Sequence, residues 1–466
     1  MVFSTLTFLF MFLPLVCIFY YIIPNRTYKN VILLIFSLMF YSWGEPRYIA
    51  LMLIASLIAY IGGLFIDKFE KIGKYKTKKL VFIVTVILLV SNLFVFKYLN
   101  FTIDNMNKIF NTSVNIEKVV LPIGISFYTF QILSYVIDLY KQEISLQKNY
   151  FYLTLYVSFF PQLIAGPIVR YQTVEYEINM REEKFSDVIY GMRRFIIGLS
   201  KKVIIANNVG AISNLIYNGD VKIYGTQFYW LAAIAYALQI YFDFSGYSDM
   251  AIGLGRMFGF NFLENFNYPY ISTSITEFWR RWHISLSSWF RDYVYIPLGG
   301  NRVKKTRWLF NIFVVWALTG FWHGAEWNFI AWGIYYAVLL IVEKLFLMKI
   351  LDRLPKILCW LYSMIIVLVG WVIFNLTDPA LIIRAIRQMF SFNYTNTLIA
   401  VINNVDVLYA LVYVPLGIIC MIPWKDKISI SKVPNWLINF MYLVLFLICI
   451  IYIIGSTYNP FIYFRF

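Results

Sequence analysis

The 466-residue sequence predicts an all-α polytopic membrane protein. Three observations carry that expectation. Hydrophobic residues make up 61% of the chain and charged ones only 14%, whereas soluble domains run near 45–50% apolar and about 25% charged. Mean hydropathy is +0.69. Apolar runs recur at the length that an α-helix needs to cross about 30 Å of hydrocarbon.

Taken in order, the first run covers residues 5–23. It has no basic segment ahead of it and no small-residue cleavage site before Pro24, which predicts a retained helix rather than a removable leader. Further spans follow at 30–44, 48–66 and 80–97. Loop 67–79, "DKFEKIGKYKTKK", is basic and reads as cytoplasmic. Alternation then puts the N-terminus outside and "NRTYKN" (25–30), with Arg26 and Lys29, inside, so the two loops agree. Segments 119–140 and 156–171 are apolar but interrupted by Pro, Gly and polar residues. Broken backbone at membrane depth is tolerated only where protein buries it or it lines a wet cavity. Both are expected to be re-entrant or kinked around a central cavity, with a plain kinked span as the alternative for 156–171. Segments 181–205 and 273–292 are amphipathic and basic, and are expected to lie at the cytoplasmic interface. Spans at 226–242, 308–321, 327–347, 357–375, 406–423 and 435–454 complete the series. Neither a repeat nor a soluble domain interrupts it, so residues 1–466 read as one transmembrane domain.

The net charge of +16 does not point to nucleic acid. Lys and Arg cluster in short connections (67–79, 192–202 and 299–307), as expected for charges that set topology and touch anionic lipid. Cys17, Cys359, Cys420 and Cys449 lie in apolar runs at unrelated spacings, which argues against a disulfide framework or a metal site.

Candidate chemistry starts from the two histidines. His323 and Glu326 sit in "ALTGFWHGAEWNFIAWGIYYAVLL", a run otherwise aromatic and aliphatic. Ionisable groups at membrane depth are costly and hence functional candidates. On a continuous helix Glu326 is three residues from His323, and Gly320 and Gly324 have the spacing that admits a close neighbour. An imidazole with a carboxylate in reach and apolar walls suits general-base work; a packed structural histidine is the alternative. His283 follows Trp279 by one turn in "SITEFWRRWHISLSSWFRDY", where Ser274 and Glu277 form a capping-box pattern. In "YFDFSGYSDMAIGLGRMFGF", Asp243 and Asp249 follow an apolar span with Ser245 and Ser248. They are read as the lining of a polar path, as a site that binds a phosphate-bearing donor through loop amides, or as the cap of a helix end. The glycines there are expected to permit close helix packing rather than to cradle a nucleotide.

Together "YFDFSGYSDMAIGLG", "ENFNYPYISTSITEFWRRWHISLSSWFRDYVYIPLGGNR" and "GFWHGAEWNFIAWG" resemble the membrane-bound O-acyltransferases. The closest resemblance is to the bacterial branch typified by the alginate O-acetylation membrane subunit. It implies a ring of about ten to twelve transmembrane helices, with re-entrant and interfacial helices, around a central cavity. It implies a cytoplasmic acyl thioester, acetyl-coenzyme A, as donor substrate and no permanently bound cofactor or metal. The family's essential histidine maps onto His323 and its second histidine onto His283. The ending "FIYFRF" resembles an aromatic motif of this branch, which makes Tyr463 a candidate acyl relay; an interfacial aromatic anchor is the alternative. Implied partners are an extracytoplasmic polysaccharide or peptidoglycan acceptor, a secreted or membrane-tethered acetyl-transferring protein, and membrane lipids. D-alanyl transfer to teichoic acid from a carrier protein is the rival enzymatic reading. A polysaccharide transporter or flippase is the rival from another class.

Overall fold

The computed structural model describes residues 1–219, 224–394, 405–424, 433–455 and 461–462. Tyr463 lies outside the described residues. Those described form helices joined by short connections, with no strand among them. Five described helices have both the length and the hydropathy for a membrane crossing: Ile49–Lys71, Tyr75–Phe110, Phe185–Asn218, Lys356–Asn375 and Asn435–Gly455. Their outward residues are apolar, as lipid contact requires: Trp436, Met441 and Ile451 of the last helix are all more than 60% exposed.

Two compact units emerge from the packing. One comprises Met1–Phe195 with Ser248–Leu263, the other Ile196–Tyr247 with Glu264–Phe466.

In the first unit, helix Arg26–Gly44 begins where the Asn25 side chain accepts a hydrogen bond from the Tyr28 amide at 3.0 Å. Arg26 and Lys29, read from sequence as topology-setting charges, converge on Glu183 at 2.6 and 3.0 Å. Tyr20 donates to the same carboxylate at 2.5 Å. Burial pushes the Glu183 carboxyl up, but hydrogen bonds from Arg26, Tyr20 and Lys29 outweigh it and hold it at about 2. These basic side chains therefore carry a structural task in addition to any role in topology.

Segment 119–140 becomes a non-helical approach followed by helix Ile125–Lys141, which starts at Gly124 with φ +79°. A Cβ at Gly124 would meet the Leu163 carbonyl oxygen at 2.9 Å, so both the conformation and the space call for glycine. Segment 156–171 completes helix Tyr150–Ser158 and then runs irregularly, with residues 159–169 all buried. Its broken backbone is enclosed by protein, the condition under which such backbone survives.

Three expectations are corrected. Residues 181–205 do not form an isolated interfacial helix. From Phe185 onward they belong to a continuous helical stretch, Phe185–Asn218, with a π-helical turn at Lys201–Ala206 and enough length and hydropathy to cross a membrane. The span expected at 226–242 does not end there: helix Thr226–Met257 runs straight through Asp243 and Asp249, so neither acid caps a helix end. Residues 273–292 are not one helix either. Helices Ile275–Arg281 and Ile284–Phe290 are separated at Trp282 and His283, because His283 takes the left-handed conformation, φ +45°.

Candidate functional site: two imidazoles in an aromatic enclosure

The site lies within the second unit and is built at two helix ends. His323 is the last residue of helix Lys305–His323, after which Gly324 is extended at φ −174°. Helix Trp327–Val342 then begins. The two helices meet where Gly320 faces Gly333: the added Cβ of either would strike the other's backbone at about 3 Å and a neighbouring carbonyl oxygen closer still. The small residue at 320 thus admits the following helix rather than a substrate. The expected pairing of Glu326 with His323 at helical i+3 spacing is overturned. Glu326 sits beyond the helix end, in extended conformation and exposed.

His323 is 3% exposed. Its ring centroid lies 5.0 Å from Trp322, 5.0 Å from Trp332 and 5.1 Å from Phe374, each ring roughly perpendicular to it. Phe374 comes from helix Lys356–Asn375. The Asn328 side-chain amide holds that helix end by donating to the Phe374 carbonyl at 3.0 Å. His283, 2% exposed, packs edge-on against Phe244 at 4.7 Å and faces Trp322 at 5.9 Å. The two histidines of the chain, 40 positions apart in sequence, therefore flank a single indole, Trp322. Spacing did not announce that juxtaposition.

Asn265 prepares His283. Its Oδ1 accepts from the Ser285 amide at 3.2 Å and the Ser285 hydroxyl at 2.9 Å, and lies 3.1 Å from His283 Nδ1. A backbone amide can only donate, so the atom facing it is the oxygen. The same oxygen faces Nδ1, which must carry the proton, leaving Nε2 as the basic nitrogen. Burial pushes the His283 imidazole down to about 3, so it is neutral at ordinary pH. The left-handed backbone at position 283 costs a non-glycine residue on the order of 1 kcal/mol or more, and such strain gathers where a side chain must be aimed. Asn265→Ala is expected to free the His283 ring and lower turnover at the site about tenfold, read from initial rates. Asn265→Asp places a negative charge against the ring and raises its proton affinity. Its pH–rate profile should shift on the acid side relative to that of the parent protein.

Helix Ile275–Arg281 carries Trp279 and leads into His283. Ser274 caps it by accepting from the Glu277 amide at 3.0 Å, as the capping pattern predicts. Glu277 reaches back to the Thr273 amide at 2.9 Å rather than to that of Ser274. The other free amides of its first turn go to Glu343. This fully buried carboxylate accepts from the Ile275 amide at 2.6 Å, the Thr276 amide at 2.8 Å, the Thr276 hydroxyl at 2.7 Å and the Tyr362 hydroxyl at 3.1 Å. Glu343, Asn265 and Trp322 went unsingled in the sequence. For Glu343 the signal was available, since a lone carboxylate in the apolar run 327–347 is the same kind of anomaly as His323.

The two acids of 241–260 have separate tasks. Asp249, in the first unit, pairs with Arg194 at 2.5 Å. Asp243, in the second, pairs with Lys202 at 2.5 Å, both side chains almost fully buried. The nearby glycines serve packing as expected: a Cβ at Gly253 would meet the Gly191 carbonyl oxygen at 2.5 Å.

Fold and site together define a polytopic, all-α membrane protein with two imidazoles enclosed by aromatic walls. The chain belongs to the membrane-bound O-acyltransferase family, whose profile matches residues 141–377, a range that includes both histidines, Asn265 and Glu343. It is an O-acyltransferase. Among its relatives, the probable alginate O-acetylase AlgI of Azotobacter vinelandii is 42% identical over 397 residues, covering 84% of this chain and 78% of that protein. The peptidoglycan O-acetyltransferase of Helicobacter pylori is 34% identical over 427 residues, 84% of this chain and 80% of the relative. The teichoic acid D-alanyltransferase of Bacillus subtilis is 34% identical over 241 residues, 48% of this chain and 59% of the relative.

Proposed function

We propose that this chain, in a bacterial cytoplasmic membrane, moves an acetyl group from cytoplasmic acetyl-coenzyme A across the membrane for O-acetylation of an extracytoplasmic polysaccharide or peptidoglycan. His323 acts as general base. The observation that carries this reading is the enclosure of both histidines against Trp322, in a chain whose relatives are alginate and peptidoglycan O-acetylating proteins.

A hydroxyl oxygen attacks the thioester carbonyl while His323 takes its proton. The tetrahedral intermediate then collapses, the C–S bond breaks, and the imidazolium returns the proton to the departing sulfur. An ester and a free thiol result. The aromatic walls exclude water, which would otherwise hydrolyse the thioester. Position at a helix C-terminus sets the carbonyl end of the helix dipole against the positive charge that the imidazole gains. His283, with Nδ1 committed to Asn265, offers Nε2 for orienting donor or acceptor. The first acceptor is the Tyr463 phenol. Its ordinary pKa of about 10 makes a base necessary before it can attack a thioester. A separate secreted or membrane-tethered protein then carries the acetyl group to the polymer.

The decisive experiment supplies purified protein with labelled acetyl-coenzyme A. Label should accumulate on Tyr463 in the parent protein and be absent from Tyr463→Phe. Label on neither, with labelling restored by a D-alanyl carrier-protein thioester, would establish D-alanyl transfer instead. Normal acetylation of a polymer whose export fails in His323 variants would establish a transporter.

A further inference from the structure

The described residues after Gly455, Phe461 and Ile462, pack within the site's own unit. Phe461, 1% exposed, packs edge-on against Tyr247 with centroids 4.7 Å apart, and the Lys202 ammonium lies 4.6 Å from its ring centre. The next residue, Ile462, donates its backbone N–H to Asp243 Oδ2 at 2.7 Å, across 219 positions of sequence. Asp243 Oδ1 takes the Lys202 ammonium at 2.5 Å. One buried carboxylate thus divides its two oxygens between a buried lysine and the tail. We infer that the Lys202–Asp243 pair is the anchor of the C-terminal segment, a pair of positioning residues that sets where the acyl-accepting tyrosine begins. The inference rests on the relay reading of Tyr463 proposed above.

Three physical points support it. A buried ion pair contributes less to stability than well-packed apolar residues of the same size, so its retention calls for another use. Here that use is a charge-assisted hydrogen bond to a backbone amide, about twice as strong as a neutral one. The π-helical turn Lys201–Ala206 is a local departure from α geometry of the kind that gathers at functional positions, and it contains Lys202. Position completes the case. Asp243 immediately precedes Phe244, whose ring packs on His283, and His283 faces Trp322 beside His323. The anchor point and the imidazoles share one packed neighbourhood.

Two variants test this in the full-length protein in detergent or membranes. Ile462→Pro deletes the backbone N–H that Asp243 Oδ2 accepts and leaves the buried pair intact. Lys202→Met with Asp243→Leu removes both charges together, so that neither is stranded. C-terminal trimming by a carboxypeptidase, followed by mass spectrometry of the intact chain, reads tail docking without reference to activity. Parent protein should resist trimming past Ile462, while both variants are trimmed and transfer acetyl about ten- to hundredfold more slowly. The KM for acetyl-coenzyme A and the thermal midpoint of Ile462→Pro should stay unchanged. Ile462→Val, which keeps the N–H, should restore resistance to trimming.

Trimming of Ile462→Pro at the parent rate overturns the anchor. Release of the tail with acetyl transfer at the parent rate overturns the positioning role. If Tyr463→Phe transfers acetyl normally, the relay reading fails, and the trimming result separates that failure from failure of the anchor.

Discussion

His323→Ala is expected to lower acetyl transfer by about 10²–10⁴-fold, the usual contribution of a positioned general base. Polymer-bound acetate in cells, or label transferred from acetyl-coenzyme A by purified protein, provides the measurement. The fold should survive. His323 closes a helix rather than interrupting one, and its surroundings are the rings of Trp322, Trp332 and Phe374. Truncation there removes the imidazole from a mainly aromatic wall and leaves a void. A structural histidine predicts a different result: a lowered thermal midpoint, with residual activity in proportion to folded protein. His323→Gln separates the two readings, because it fills the space and retains polarity but cannot take a proton at neutral pH. Near-parent activity in that variant would remove His323 from the chemistry.

The largest effect on stability is expected at Glu343. Glu343→Ala strands two buried amides and the Thr276 and Tyr362 hydroxyls that the carboxylate now satisfies. Each unsatisfied buried group costs about 1–3 kcal/mol, and partial relaxation leaves a net loss of about 3–5 kcal/mol. Thermal unfolding in detergent, followed by tryptophan emission, checks it; Trp279 and Trp282 pack beside the affected helix and report the change directly. Glu343→Gln should lie between. Its carbonyl oxygen still accepts, but its amide nitrogen meets another donor. A thermal midpoint in Glu343→Ala equal to that of the parent would show that the Ile275–Arg281 helix does not depend on this cap.

Much of the architecture was readable in the residues. Helix Lys356–Asn375 falls almost where its apolar run predicts, and Asn435–Gly455 matches to within a residue. Both are long, uniformly apolar and bounded by polar or helix-breaking residues. The readings that failed share one cause. At 181–205, 226–257 and 273–292, the local pattern mixes charge with apolar residues, and pattern alone assigns such stretches to an interface or a helix end. Partners elsewhere in the chain change the outcome. Asp243 stays inside a helix because Lys202 neutralises it, and Asp249 because Arg194 does. The 273–292 helix breaks because residues 265–267 take up the backbone groups on either side of the break: the Asn267 amide donates to the Arg281 carbonyl, and the Ile284 and Ser285 amides donate to Asn265. Glu326 failed for a related reason. Helical spacing was applied across Gly324, where the chain is extended and the helix has already ended.

Sequence alone therefore determined the class of molecule and the course of its most apolar helices, and singled out His323 as a candidate, because composition, hydropathy and an ionisable residue in an apolar run are local properties. Tertiary structure decided which groups act together. It packed both His283 and His323 against Trp322, gave His283 its tautomer through Asn265, and divided the Asp243 carboxylate between Lys202 and Ile462. Apart from the neighbours Trp322 and His323, these contacts join residues from 18 to 219 positions apart. No periodicity encodes them, since each depends on the packing of several helices at once.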